Sequence, residues 1–534
     1  MKRRDFLTSS AAAAGAAVLP LEVLAQSDRR KELLIVANET GPNSLDIHTL
    51  GANRPAYGVS WLAYDRLMTF GKKRGPGGVT MYDYTVLKPE LAASWALAPD
   101  GKSVTFKLRQ GATFHDGTPV TAKDVKWSFD RAVSVGGFPT FQMKAGSLEK
   151  PEQFVAVDEH TFRVNFLRKD KLTMMDMAVP VPCIFNSGLV KKHATAKDPW
   201  GLEWTKANTA GGGAYKVEAW RPGQEIVYTR FDGWKSGALP KIRRIVQREI
   251  PSAGNRRALL EKGDVDMSYE MPPKDFLEMS QGGKLVVATT PIENSIWYVD
   301  MNVKMKPFDN VKVRQAVAWA IPYEKIMDSA MYKRSVPMYG GNGNKASGTE
   351  WPQAHGYRQD LAKAKQLMAE SGVGPFETVL SFDLGQGTVS EPACILMQEA
   401  LAEIGIKVSI NKVPGANWRG AMLKKDMPIS LNRFGGWLNY AEYFFFWNYH
   451  GQNAVFNTMS YQNPAMDKLI DAARFESDPK RYREDVHAFV NLAFDEVPRI
   501  PLAQPNYDVA MQKNIKGYAY WFHLQPDFRD LEKT

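Results

Sequence analysis

The chain has 534 residues, 44% of them apolar, which is too long for one hydrophobic core, since cores rarely grow past about 250–300 residues. Its net charge of +10 is spread among interspersed charges of both signs, without a lysine-rich tail or basic helix, and this excludes a dedicated nucleic-acid binder. The only cysteines, Cys183 and Cys394, lie far apart among apolar neighbours, which excludes a disulfide framework and reads as two buried free thiols.

The first residues, MKRRDFLTSSAAAAGAAVLPLEVLAQS, join Arg3 and Arg4 to a short apolar run and a small residue at Ala25. Residues 1–25 are therefore expected to be an export signal cleaved near Ala25, and its apolar part is far short of the roughly 20 residues that cross a bilayer. Adjacent arginines followed by Asp5, Phe6 and Leu7 resemble the twin-arginine motif, which implies the twin-arginine translocase as a partner and a periplasmic destination. An ordinary secretory signal leads to the same compartment.

Next, the run Leu33 to Ala37 followed by polar turn residues predicts a buried strand with Asn38, Glu39 and Thr40 at its carboxyl end, where open α/β sheets line a ligand crevice. Trp95 and Leu97 before Asp100-Gly101, then Val104, Phe106 and Leu108 in alternation, predict a hairpin. His115-Asp116-Gly117 reads as a turn, and Thr121 as the cap of a helix buried through Val125, Phe129 and Ala132. Further hairpins are expected at VAVDEHTFRVNF and YKVEAWRPGQEIVY. Later, Asp309 or Asn310 caps VKVRQAVAWAI, Pro322 opens a second helix, Ser390 caps EPACILMQEALAEIG, and Ile406, Val408 and Ile410 alternate as a strand. With no tandem repeat or Gly/Ser linker, several α/β lobes joined by crossing strands are expected.

Chemical motifs are missing. Neither GxxxxGK[ST] nor GxGxxG occurs, the eight histidines form no HExxH, and no serine stands in a GxSxG elbow, so no cofactor and no metal are expected, and binding is a better default than catalysis.

Five blocks in order resemble the extracytoplasmic solute-binding proteins of ABC importers for oligopeptides, dipeptides and nickel chelates. They are LKPELAASWALAPDGKSVTFKLRQGATFHDGTPVTAKDVKWSFDRA, GGGAYKVEAWRPGQEIVYTRFDGWKSGALPKI with ALLEKGDVDM, DMNVKMKPFDNVKVRQAVAWAIPYEKI, YRQDLAKAKQLMAESG and LAEIGIKVSI. The resemblance implies a periplasmic-binding-protein-like α/β fold of two lobes with an extra subdomain, closing on a solute without chemistry. Lobe I is expected at 26–60, 208–290 and 503–534, the extra subdomain at 61–207, and lobe II at 291–502. The implied partners are an inner-membrane ABC permease and a small-molecule or peptide-like solute, with the receptor a monomer. In the conserved-looking blocks, Asp116-Gly117 is turn chemistry and Arg314 ties down local carbonyls.

For the solute, the informative stretch is RFGGWLNYAEYFFFW. Peptide binders of this family carry an aspartate three positions after the Gly-Trp, holding the peptide's amino terminus. Here Tyr440 stands there, and a phenol supplies no counter-charge for a buried ammonium. Glu442 is a shifted substitute. Trp437, Tyr440 and Tyr443 offer stacking surfaces, Asn439 a hydrogen bond, and Arg433 a partner for a carboxylate or phosphate, while Phe444, Phe445, Phe446 and Trp447 read as core. The expected solute is a modified peptide, an opine-like or sugar conjugate. Alternatives are a conventional di- or oligopeptide gripped by Glu39 or Glu442, a secreted hydrolase on this fold, and a chaperone-like binder.

Overall fold

The computed structural model describes residues 30–292, 294–337, 357–452, 456–521 and 523–534, so the export signal expected at 1–25 lies outside the described residues. One 12-stranded sheet runs through two α/β lobes. In lobe I, Leu33–Asn38 lies between Arg244–Glu249 and Met267–Tyr269, parallel to both, and Glu225–Arg230 and Tyr215–Arg221 extend the sheet antiparallel. The apolar LLIVAN sequence suits a strand covered on both faces. In lobe II, Phe376–Asp383 lies between Ile406–Val413 and Ile429–Gly435, parallel to both.

The lobes share the strand Arg499–Met511, whose 13 residues span about 40 Å. Its first half pairs with Ser295–Met301 of lobe II and its second half with Val286–Pro291 and Met267–Tyr269 of lobe I. At the lobe II end of that strand, Arg499 is fully buried, holds the Asp300 carboxylate, and also donates to Asn448 and to the Phe456 carbonyl.

The extra subdomain is a four-stranded antiparallel sheet, Ala92–Leu97, Ser103–Leu108, Thr161–Asn165 and Phe154–Ala156, under the helix Ala122–Ser134. Thr121 and Asp124 form a reciprocal capping box at the start of that helix, and Phe106, Phe129 and Phe162 meet ring to ring beneath it. Asp116 accepts from the Thr118 amide at 3.0 Å and its hydroxyl at 2.6 Å, which is turn chemistry. The glycines of GGGAY are required by close approach: a Cβ on Gly211 would meet the Ala63 carbonyl oxygen at 1.9 Å. Arg314 donates to the carbonyls of Glu496, Phe308 and Asp309. Cys183 and Cys394 are free and buried.

One helix start differs from expectation. The helix expected to be capped by Ser390 spans Gly387–Ala402, and Ser390 is buried within it. The Asp383 side chain accepts the Gly385 amide at 2.9 Å and starts a 3₁₀ turn, Leu384–Gln386, that leads straight into the helix. That earlier cap overrides the serine.

Candidate functional site

The strand ends of both lobes face one cleft. Glu39 and Thr40 follow Leu33–Asn38, Glu270 follows Met267–Tyr269, and Asp383 ends Phe376–Asp383. With Arg54, Trp297, Arg334, Arg433, Tyr507 and Asp508 they line a compartment of about 440 Å³. Arg54 is the first residue of the helix Arg54–Ala63, which Asn53 caps, and Arg433 sits opposite Trp297 in the strand pair of lobe II with its guanidinium 5.6 Å from the indole centre.

The charges here are unevenly satisfied. Arg334 grips Asp508 through two hydrogen bonds, and Arg256 reaches Glu39 at 3.6 Å. Arg54 and Arg433 have no carboxylate within ion-pairing distance among the described residues, and the Arg54 Nε is shut from solvent without a partner. Burial, then the neighbouring Arg54, pushes the Arg433 pKa down to about 9, so it stays cationic at neutral pH. Glu39 is raised by burial, against Arg256, with Glu270 and Asp383 adding to the rise. Glu270 is also raised by burial, with Arg54 opposing most strongly.

Arg54 and Arg433 also line a second chamber of about 230 Å³, walled by Tyr57, Phe138, Phe434, Trp437, Trp447 and Phe456, with Tyr443, Gln142, Arg419 and His523 at its edges. Trp437 stands edge-on to Tyr57 at 5.6 Å and to Phe138 at 5.1 Å. The Tyr443 hydroxyl meets Gln142 Oε1 at 2.9 Å.

Of the residues read from sequence, Glu39, Thr40 and Arg433 therefore line the larger compartment, and Arg433, Trp437 and Tyr443 the smaller. Asn38, Asn439, Tyr440 and Glu442 line neither. Asn38 is buried at its strand end, where its carbonyl accepts the Ile250 amide. Asn439 donates to the Tyr84 hydroxyl at 3.2 Å, and the Tyr440 ring stands edge-on to Tyr84 at 5.8 Å, so both face the strand Thr80–Pro89. Glu442 is buried against Lys171 at 2.9 Å and the Tyr482 hydroxyl at 2.7 Å, and it lines neither compartment of the cleft. The rings read as core are all buried on the helix Ala441–Asn448, and Trp447 also reaches the chamber wall.

Sequence reasoning missed Arg54, Glu270 and Asp383. The strand-end rule that pointed to Glu39 points equally to Glu270 after MSY and to Asp383 after TVLSF. Arg54, on a helix, carried no such signal.

Residues 86–456 match the family described as "Bacterial extracellular solute-binding proteins, family 5 Middle". The chain belongs to that family. As a family 5 protein it is a solute-binding receptor of an ABC importer. It is 28% identical over 496 residues, 92% of each chain, to the probable D,D-dipeptide-binding periplasmic protein DdpA of Escherichia coli strain K12. Solved structures share the two-lobed fold. DppA of Helicobacter pylori, in complex with the peptide STSA, superposes at TM-score 0.79 with 19% identity, covering 96% of this chain and 99% of that one. AgaA of A. tumefaciens R10, in complex with agropinic acid, superposes at TM-score 0.78 with 24% identity, covering 94% and 99%. No helix among the described residues is long and apolar enough to cross a membrane.

Proposed function

We propose that this family 5 receptor captures a small organic solute bearing both an anionic and a cationic group, a modified peptide or an opine-like conjugate, and delivers it to an inner-membrane permease. The observation that carries the reading is that Arg54 from lobe I and Arg433 from lobe II line one compartment with Glu39, Glu270 and Asp383 and form no ion pair there among the described residues, although Glu270 feels both guanidiniums. Like charges gathered at a lobe interface oppose closure until an anion arrives between them, and only a ligand that favours the closed arrangement shifts that equilibrium. A conventional di- or oligopeptide is the second reading, favoured by Glu39 and Glu270: carboxylates whose burial opposes their charge gain most from an incoming ammonium. Relatives named for D,D-dipeptides, a tetrapeptide and agropinic acid support this range of solutes. On the division into lobe I (26–60, 208–290, 503–534), subdomain (61–207) and lobe II (291–502), closure turns about the two crossings near 291–295 and 503–506. The signal at 1–25 sends the chain to the periplasm through the twin-arginine translocase, where it acts as a monomer.

Native mass spectrometry of the purified protein tests the reading. A discrete small-molecule adduct is expected, and re-addition at 100 times its dissociation constant should add about 2.7 kcal/mol of stability. Absence of any adduct together with no thermal shift from dipeptides or amino-acid conjugates overturns it, as does turnover of the bound solute.

A further inference from the structure

The smaller chamber is lined by charges of one sign, whereas the larger compartment is lined by both. Arg54, Arg419 and Arg433 all line it, and no carboxylate does so among its described residues, whereas Glu39, Glu270, Asp383 and Asp508 all line the larger one. None of the three guanidiniums has an ion-paired partner among the described residues, although cations elsewhere in this chain are paired. A solute's ammonium end would meet only like charge there, and unpaired charge drawn between closing lobes is costly.

The walls are largely aromatic. Tyr57 and Phe138 lie nearly parallel at 6.0 Å, Trp437 closes one end, and the His523 ring stands 5.7 Å from Trp437 with its Nδ1 shut from solvent and unpartnered. Burial and the two nearby arginines push the His523 pKa well below its ordinary value, so the ring is neutral and adds a polar atom rather than a further cation. Gly435, the last residue of its strand, does not have a left-handed backbone, and a Cβ there would meet nothing nearer than 3.6 Å. Its missing side chain is therefore not demanded by local packing and leaves room at the chamber floor.

We infer that this chamber is a subsite for the anionic end of the solute, and that this end carries two negative charges, as a dicarboxylate or a phosphate ester, on a flat or apolar group. Two charges suit three guanidiniums better than one: a single carboxylate leaves two cations uncompensated, while forked guanidinium donors can each bind a separate oxygen pair. The aromatic walls take the ring or chain that carries the anions, and the solute's amine then points into the acidic compartment. The inference rests on the receptor reading above and adds the solute's polarity and charge.

Isothermal titration separates the two. The test compounds are N-(1-carboxyethyl)phenylalanine, which carries two carboxylates, phenyl phosphate, and the dipeptide Ala-Phe with a free or an amidated carboxyl. At least one dianion should bind about tenfold or more tightly than Ala-Phe, and Arg419→Gln, which alters only the smaller chamber, should remove about tenfold of that advantage. Which dianion binds distinguishes a carboxylate source from a phosphate source. Gly435→Val should weaken the dianion while the circular dichroism spectrum and melting temperature stay those of the parent. The inference falls if Ala-Phe binds as tightly as both dianions, if its amidation has no effect, or if Arg419→Gln leaves dianion affinity unchanged. Dipeptide binding lost in Asp383→Asn but kept in Arg419→Gln leaves the receptor reading standing without the inference. Failure of every compound at millimolar concentration, together with no co-purified adduct, removes both.

Discussion

Arg499 and Arg433 lie on neighbouring parts of lobe II and are treated in opposite ways. Arg499, fully buried, is surrounded by Asp300, Asn448 and the Phe456 carbonyl, so its charge is neutralised and its donors used. Arg433 has an indole on one side, the like charge of Arg54 nearby, and no ion-paired carboxylate. The contrast is between an arginine whose charge is neutralised in place and one without an ion pair, which on the proposed reading is the one left for a ligand.

Asp300→Ala should break this contrast most severely. It strands Arg499 in the core and should cost about 3–5 kcal/mol, read as a lower urea midpoint at unchanged slope. A second paired arginine gives a pH test. Arg131 holds Asp46 at 2.6 Å and contacts His48, whose pKa is driven down to about 4 by burial first and Arg131 second. The folded value lies below that of the unfolded chain, so the unfolded chain takes the proton first. Stability should therefore fall by about 3 kcal/mol as the pH drops from about 6.5 to about 4, seen in urea midpoints across that window. Asp46, held down to about 2, adds a further loss between about pH 4 and pH 2.

Glu442→Gln should cost about 1–2 kcal/mol, because it removes the partner of Lys171 but keeps an acceptor for Tyr482, and it should leave solute affinity unchanged. A tenfold loss of affinity in that variant would return Glu442 to the site. The smallest effect on stability is expected of Arg433→Met. The dialysed protein should melt within about 1 kcal/mol of the parent, on the stabilising side, since an unpaired cation beside Arg54 is removed. A loss of several kcal/mol would show that Arg433 is structural and would erase the contrast with Arg499.

The local patterns were legible because they rest on neighbours in the chain. The Asp100-Gly101 hairpin, the Thr121 cap and the strand Leu33–Asn38 follow from alternation, turn chemistry and capping within a few residues. Ser390 misled because an aspartate seven residues earlier already fixes the helix start. At the candidate site, Trp437 and Tyr443 of the stretch GGWLNYAEY line the smaller chamber. The same stretch misplaced Asn439, Tyr440 and Glu442, since which way a residue near a helix start points depends on what packs against it, here Tyr84, Lys171 and Tyr482.

By itself the sequence determined the α/β class, the ordered family blocks and the absence of the short catalytic motifs, all of which are local or cumulative properties of the chain. Only the tertiary structure decided where charge goes unpaired. Arg54 and Arg433 are 379 positions apart and meet because the strand shared by the lobes brings the helix Arg54–Ala63 and the strand Ile429–Gly435 to one cleft. Whether a cation finds its carboxylate depends on distances of a few ångströms between such remote elements, and no spacing in the sequence encodes them.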